Sequence, residues 1–167
     1  IDLLEGGKIP LLSEALELFP ELRFNIDIKT EDALDETIKI IKNMTALNRT
    51  CLASFSSSRL ERIRKIAGPE SCTSSGQMEI FKMMCKSVGL PAENTPGHCA
   101  QVPVSQWGVP VITKRFIKTA KNLNKLVHVW TIDNQETMND LIDLGVDGLM
   151  TDKPSILKKA LIARGLF

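Results

Sequence analysis

Apolar positions recur along this chain in two alternating rhythms, short runs with a period near two and longer stretches spaced three and four apart. The first rhythm predicts strands and the second helices, and their regular alternation, without consecutive hairpins, predicts a parallel sheet. A first helix is expected from about Leu11 to Phe19, introduced by Pro10, with Ser13 and Glu14 in its first turn and Pro20 as its stop. Phe24 to Lys29 follows as a strand. Thr30, Glu31 and Asp32 supply a cap and an acidic first turn for a helix whose apolar stripe includes Leu34, Ile38, Ile41 and Met44. Cys51 to Phe55 reads as a short strand, and Ser57 to Ala67 as a helix bearing Leu60, Ile63 and Ile66, ended by Gly68-Pro69. A weak strand around Ser71 to Ser75 leads through Gly76 into a helix from Gln77 to Val88, with Ile80, Phe81, Met84 and Val88 on one face. Met78, Met83 and Met84 on that helix read as core or surface filler.

The second half repeats the alternation. Pro91 to Gly97 is a loop rich in Pro, Gly and Asn, and Ala100 to Val104 is a strand. A connector containing Trp107-Gly108-Val109-Pro110 then leads to a helix from about Lys114 to Leu123. Leu126 to Ile132 is the strongest strand, followed by Asp133-Asn134 and a helix bearing Met138, Leu141, Ile142 and Leu144 that ends at Gly145. Gly148 to Thr151 is the last strand, and Asp152-Lys153-Pro154-Ser155 starts a final helix with Leu157, Leu161 and Ile162 facing inward. The total is six βα units after one lone helix. A closed (β/α)8 barrel needs eight such units and about 250 residues, so in a barrel of that kind two units would be expected before this chain's first one. An open doubly wound sheet would accept six strands, but it commonly carries a Gly-rich phosphate turn after its first strand, and Ile28-Lys29-Thr30-Glu31 has none.

Within this frame the polar positions of Phe24 to Lys29 stand out. Residues two apart on a strand share a face, so Asn25, Asp27 and Lys29 project together from one side. A carboxylate beside an ammonium at the carboxyl end of a strand can hold a divalent cation and a phosphate oxygen, or it can be a simple salt-linked pair.

Composition narrows the field. A chain of 167 residues with 43% hydrophobic content is long enough for one well-buried core. Its net charge of +1 creates no field that would draw nucleic acid or an anionic membrane to the molecule as a whole. The one basic cluster, Arg59, Arg62, Arg64 and Lys65, falls at helical spacing and reads as a solvated helix face. No apolar run approaches the roughly 20 residues that cross a bilayer, and Ile1 to Glu5 has neither a charged region nor an apolar core of a signal. The chain opens in mid-pattern without Met, so Ile1 is expected to be an internal position of a longer protein; the cytoplasm is the default compartment, and any signal peptide would lie before Ile1.

Cys51, Cys72, Cys85 and Cys99 include no C-x-x-C pair, which gives no support to a zinc ribbon or a thioredoxin-like site. Cys51 and Cys72 each lie by a strand and read as small buried hydrophobes, while His98 beside Cys99 is a pair of potential metal ligands. Asn43-Met44-Thr45 and Asn48-Arg49-Thr50 fit the N-glycosylation pattern, which matters only in a secretory compartment.

Five segments in order carry a resemblance: Phe24-Asn25-Ile26-Asp27-Ile28-Lys29; Ala53-Ser54-Phe55-Ser56; Ala100-Gln101-Val102-Pro103; Val127 to Asp133; and Gly145 to Pro154. With Lys8 to Leu16, which is similar to a segment preceding the third barrel strand, nearly the whole chain resembles the carboxyl-terminal three quarters of a glycerophosphodiester phosphodiesterase. The resemblance implies an α/β TIM barrel, with residues 1–167 an incomplete domain of that kind. It also implies one divalent cation, calcium or magnesium, and hydrolysis of a small-molecule glycerophosphodiester to glycerol 3-phosphate and an alcohol, a step of lipid metabolism.

By the same resemblance Asp27 is a metal ligand, standing where many members carry Glu, and being one methylene shorter it requires a closer cation or an intervening water. Lys29 matches the lysine that stabilises the phosphate in the transition state. Trp130 is placed to lie against the glycerol moiety, or else is a rim residue under a loop. Gln101 is a candidate hydrogen-bond donor at the same mouth, and His128, one layer below Trp130, is either a satisfied core histidine or a catalytic one.

The family's His-Arg-Gly, the Glu-x-Asp ligands after it and the second histidine have no counterpart in these residues. This chain alone is therefore expected to be inactive, since losing one proton-transfer group already costs about 10²- to 10⁴-fold. The alternative reading is a degenerate, non-catalytic barrel that binds phosphate or a partner. Two unpaired barrel edges make self-association a physical expectation.

Overall fold

In the computed structural model, which describes residues 8–167, helices and parallel strands alternate as the two hydrophobic periods require. The expectation for Ile1 to Glu5 lies outside the described residues. The chain divides into two compact units, one ending at Gly76 and one running from Gln77 to Phe167.

The first unit contains α1 (Leu12–Leu18), β1 (Phe24–Asp27), α2 (Asp32–Asn43), β2 (Thr50–Ala53), α3 (Ser57–Ala67) and β3 (Cys72–Thr73). Its strands form a parallel sheet in the order β1-β2-β3, with Phe24 opposite Thr50, Asp27 opposite Ala53 and Cys51 opposite Cys72. Leu34, Ile38 and Ile41 of α2, Leu60 and Ile63 of α3, and Leu52 and Ile28 from the sheet side close one core, with Phe24 and Ile26 packed against it. On α3 the inward row is Leu60, Ile63 and Ala67, spaced three and four apart. Ile66, expected inward, is exposed because it falls one position off that row.

Three expectations about polar and sulfur groups change. No side chain caps α2; Glu31 instead accepts from Arg59 and Arg62 at 3.0 and 2.6 Å. The basic cluster is not simply a solvated face: Arg64 donates to Thr73 Oγ1 and the Ser74 carbonyl, both at 3.0 Å, and Arg62 also reaches Asp35. Cys51 and Cys72 are half-buried register neighbours, while their strand neighbours Leu52 and Thr73 are the fully buried residues. Arg49 binds the end of α1 to the sheet, donating to the carbonyls of Leu16, Phe19 and Leu22 at 2.7, 3.0 and 3.1 Å.

The second unit contains α4 (Gln77–Ser87), β4 (Cys99–Val102), β5 (Ser105–Gln106), β6 (Val109–Pro110), α5 (Lys114–Asn122), β7 (Leu126–Val129), α6 (Gln135–Leu144), β8 (Gly148–Leu149) and α7 (Pro154–Ala163). β4, β7 and β8 form a parallel sheet in the order β4-β7-β8, and β5 with β6 makes an antiparallel hairpin where a plain connector was expected. Phe116, Ile117 and Ala120 of α5 pack with Val127, Val129, Ala100, Val102, Met83, Met138 and Leu141. On α4 Met83 is the buried residue, with Ile80 and Met84 beside it, whereas Phe81 and Val88 are exposed. On α7 the inward positions are Ile156, Leu157 and Ala160, and Ile162 is exposed. Among the described residues no helix is long and apolar enough to cross a membrane.

Buried polar contacts fasten the loops at the amino ends of these strands. Lys125 is buried and donates to the carbonyls of Thr95, at 2.6 Å, and Gly97. Asp147 accepts from the Val127 amide at 2.8 Å and donates its own amide to the Val127 carbonyl at 2.9 Å. The register then sets Gln101 beside His128 and His128 beside Gly148. A Cβ on Gly148 would lie 2.9 Å from His128 Cδ2, so the imidazole occupies the space a side chain would need. Gly148→Ala is therefore expected to displace the His128 ring and to lower the unfolding free energy by about 1–3 kcal/mol. Denaturant titration with the ring's proton resonances as a second probe checks it, and an unmoved ring at unchanged stability would refute the packing.

Candidate active site

β1 places its two faces by alternation. Phe24, Ile26 and Ile28 go to the helix layer, which leaves Asn25, Asp27 and Lys29 on the other face. Regular pairing ends at Asp27, although the Ile28 amide still donates to the Ala53 carbonyl at 2.8 Å. Asp27 and Lys29 thus stand at the carboxyl end of a parallel strand, where α/β folds of this type keep their chemistry.

The pair is asymmetric. The Lys29 ammonium donates to Asp27 Oδ2, and its side chain is 73% exposed against 27% for Asp27. Asp27 Oδ1 is buried and has no hydrogen-bond partner; among the described residues the other such side-chain atom is Ser75 Oγ, just beyond β3. A carboxylate with one oxygen on a cation and the other buried and unmatched differs from a surface salt bridge, in which water completes both oxygens. No group of three or more His, Cys, Asp or Glu side chains forms a cation site among the described residues. Asp27 fits a divalent cation as one hard oxygen ligand rather than as a full set.

Residues to which the sequence reading gave no site role shape this end of the sheet. Phe55 is exposed, and its ring centroid lies 5.8 Å from the Lys29 ammonium. Arg59 donates to the Ile28 carbonyl at 3.1 Å, to Ser54 Oγ at 3.0 Å and to Glu31, tying together the segments after β1 and β2. Ser54 is buried and its hydroxyl donates to the Ile28 carbonyl at 3.0 Å. The signal for these residues was Ala53-Ser54-Phe55-Ser56 directly following a strand. Its Ser56 caps α3 by accepting from the Arg59 amide at 3.3 Å, which points Arg59 back across the turn.

In the second unit Trp130 follows β7 at its carboxyl end, half-buried, with its amide donating to the Val102 carbonyl at 3.2 Å. Asp133 holds the next turns, accepting from Thr151 Oγ1 and from the Asp152 amide, both at 2.8 Å. Gln101 and His128 lie one layer deeper on β4 and β7, and the Gln101 amide donates to Cys99 Sγ at 3.5 Å. His98 precedes β4 and is exposed at the opposite, amino end of the strands, where its carbonyl accepts from the Leu126 amide at 3.1 Å. Its neighbour Cys99 is buried.

Comparison with known proteins bears on this arrangement. One relative in sequence is "Probable glycerophosphodiester phosphodiesterase 2" of Mycobacterium tuberculosis, 33% identical over 165 residues, which are 96% of this chain and 62% of that protein. A solved glycerophosphodiester phosphodiesterase from Parabacteroides distasonis superposes with a TM-score of 0.78 at 24% identity, over 99% of this chain and 69% of its own. An Oleispira antarctica phosphodiesterase, solved in complex with the product sn-glycerol-3-phosphate, has a TM-score of 0.67 at 17% identity, over 92% of this chain and 61% of its own. The chain spans about three fifths of the length of the two curated relatives that it matches along more than nine tenths of its own. The fold class is α/β, part of a TIM barrel, as the family resemblance implied. The model of the glycerophosphoryl diester phosphodiesterase family matches residues 2–156, and the chain belongs to that family.

Proposed function

We propose that the protein carrying this chain is a metal-dependent glycerophosphodiester phosphodiesterase, cleaving a glycerophosphodiester to glycerol 3-phosphate and an alcohol, with Asp27 and Lys29 in its phosphate-binding centre. The observation that supports this most directly is the divided Asp27 carboxylate, with Oδ2 on Lys29 and Oδ1 buried without a partner. Leaving a buried acceptor unmatched costs about 1–3 kcal/mol, and a ligand that fills it recovers that cost. The Oleispira antarctica enzyme, similar in fold and solved with sn-glycerol-3-phosphate, supports the same substrate class.

In this reading Asp27 has two duties. Through Oδ2 it orients the Lys29 ammonium, and through Oδ1 it provides one oxygen to a calcium or magnesium ion. Such an ion, when bound, polarises a phosphoryl oxygen. Lys29, exposed and tethered at one side only, presents its charge to the phosphoryl oxygens, where negative charge grows during the displacement. Phe55 limits the swing of that ammonium by lying against it. The family resemblance is what supports a glycerol-facing role for Trp130 of the second unit. Gln101 would reach the substrate only by releasing its amide from Cys99 Sγ.

Proton transfer is a different matter. The chain has two histidines, and neither His98, at the amino end of β4, nor His128, against Gly148, stands at the carboxyl end of a strand. We infer that the general acid and base come from outside this chain, and the remaining cation ligands from outside its described residues. The isolated chain should therefore release no glycerol 3-phosphate from glycerophosphocholine with added calcium or magnesium, and turnover by it would overturn this assignment. In the complete protein Asp27→Ala should lower kcat at least about 10²-fold and remove the response to added metal ion. Lys29→Ala should lower kcat by about 10²- to 10³-fold while leaving the metal response in place. A titration with either ion, read by glycerol 3-phosphate release, separates the two roles; an unaltered metal response in Asp27→Ala rejects the ligand role.

A further inference from the structure

We infer that the β5–β6 hairpin is a membrane-docking element, which sets Trp107 into the interface of a bilayer carrying anionic lipid while Lys114 and Arg115 bind the lipid phosphates. This goes beyond the proposed hydrolysis and stands or falls separately from it.

The hairpin presents its apolar groups to water. Trp107 is 93% exposed, and Val104 and Val109 beside it are exposed as well. An indole of this size normally dominates the burial of whatever core or interface it joins, so one left in water forfeits a large apolar contribution. Its backbone adds a second cost. Trp107 has φ of 50° and Gly108 has φ of 77°, the paired left-handed conformation of a tight hairpin turn. Asn and Asp tolerate the first of those positions far better than a bulky aromatic residue does.

Nor does Trp107 sit on a loose strap that could fold back onto the protein. Ser105 pairs with Pro110 and Gln106 with Val109, and the amides of Val111 and Ile112 both donate to the Val104 carbonyl at 2.9 and 3.2 Å. The turn holds the indole away from the body of the unit.

Charge around the hairpin follows a matching pattern. From Cys99 to Thr113 there is no Asp, Glu, Lys or Arg, and the next two residues are Lys114 and Arg115. These open α5 just after Thr113, its N-cap, and the first turn has no acidic residue. Cations at a helix N-terminus oppose the helix dipole, so this position is locally unfavourable for both. Both are exposed, and among the described residues neither takes part in an ion pair.

One kind of surface offsets all these costs. Tryptophan is favoured at the headgroup level of a bilayer, and each Lys or Arg near an anionic leaflet strengthens binding by about fivefold. A second copy of this chain fits less well, because a two-fold contact through the hairpin would set the same basic pair against itself. The hairpin follows the carboxyl end of β4, the end at which Trp130 follows β7, so docking would turn that end of the sheet toward the lipid.

The test uses the full chain with vesicles of phosphatidylcholine, with and without phosphatidylglycerol. The chain should sediment with the phosphatidylglycerol vesicles, with a blue shift of indole emission that disappears in Trp107→Ser. That variant should bind at least about tenfold more weakly, with an unchanged circular dichroism spectrum because the side chain packs against nothing. The double variant Lys114→Gln, Arg115→Gln should lose about 25-fold on anionic vesicles and bind both vesicle types alike. No sedimentation with either vesicle, binding unaffected by Trp107→Ser, or Trp107-dependent dimerisation without vesicle binding would each overturn the proposal.

Discussion

A strand paired on the ladder of a parallel sheet cannot choose where its side chains point, and this constraint organises both units. In the first, the helix layer takes Phe24, Ile26 and Ile28, so Asn25, Asp27 and Lys29 must occupy the other face. In the second, Val127 and Val129 enter the core, which leaves His128 and Trp130 on the face away from it. A one-residue slip in register would exchange the two sets and bury a charged pair among aliphatic side chains. The energy that holds the register is the apolar burial behind each sheet. The polar face therefore depends on residues that never touch a substrate.

Alternation alone does not hold a strand end still, and charged side chains bonded to backbone carbonyls do that here. Arg59 spans the segments after β1 and β2 through Ile28, Ser54 and Glu31, and Arg49 does the same for the end of α1. In the second unit Lys125 does this for the Thr95 and Gly97 carbonyls, while Asp133 and Asp147 accept from backbone amides around β7 and β8. Hydrogen bonds with a charged partner contribute about 1.5–3 kcal/mol each, more than neutral ones, and they are directional. Asp27 and Lys29 consequently project from a braced end, the condition under which a pre-aimed charge is effective. Gly148 belongs to the same economy of space, since its missing side chain is what admits the His128 ring.

Family membership and the divided Asp27 carboxylate support one reading from different sides. The family match carries the reaction class, and the carboxylate carries the assignment of a residue.

Much of the architecture was legible in the order of residues, because the periods of helix and strand are local properties. All six parallel strands and the helix after each were visible, as were the left-handed stop at Gly145 and the Asn134 cap. The pairing of Asp27 with Lys29 was visible too, since a strand of period two leaves no other arrangement. Tertiary structure decided what depends on neighbours distant in sequence. Helical spacing alone could not choose between Ile66 and Ala67 on α3, or tell that Phe81 on α4 and Val88 just beyond it face solvent while Met83 is buried. Nor could it turn Arg59 and Arg64 from a solvated stripe into braces, because their carbonyl partners lie on other elements. The chain by itself determined that a carboxylate and an ammonium share a strand end; only the packed structure decided that one oxygen of that carboxylate is buried without a partner, because burial is set by everything around it.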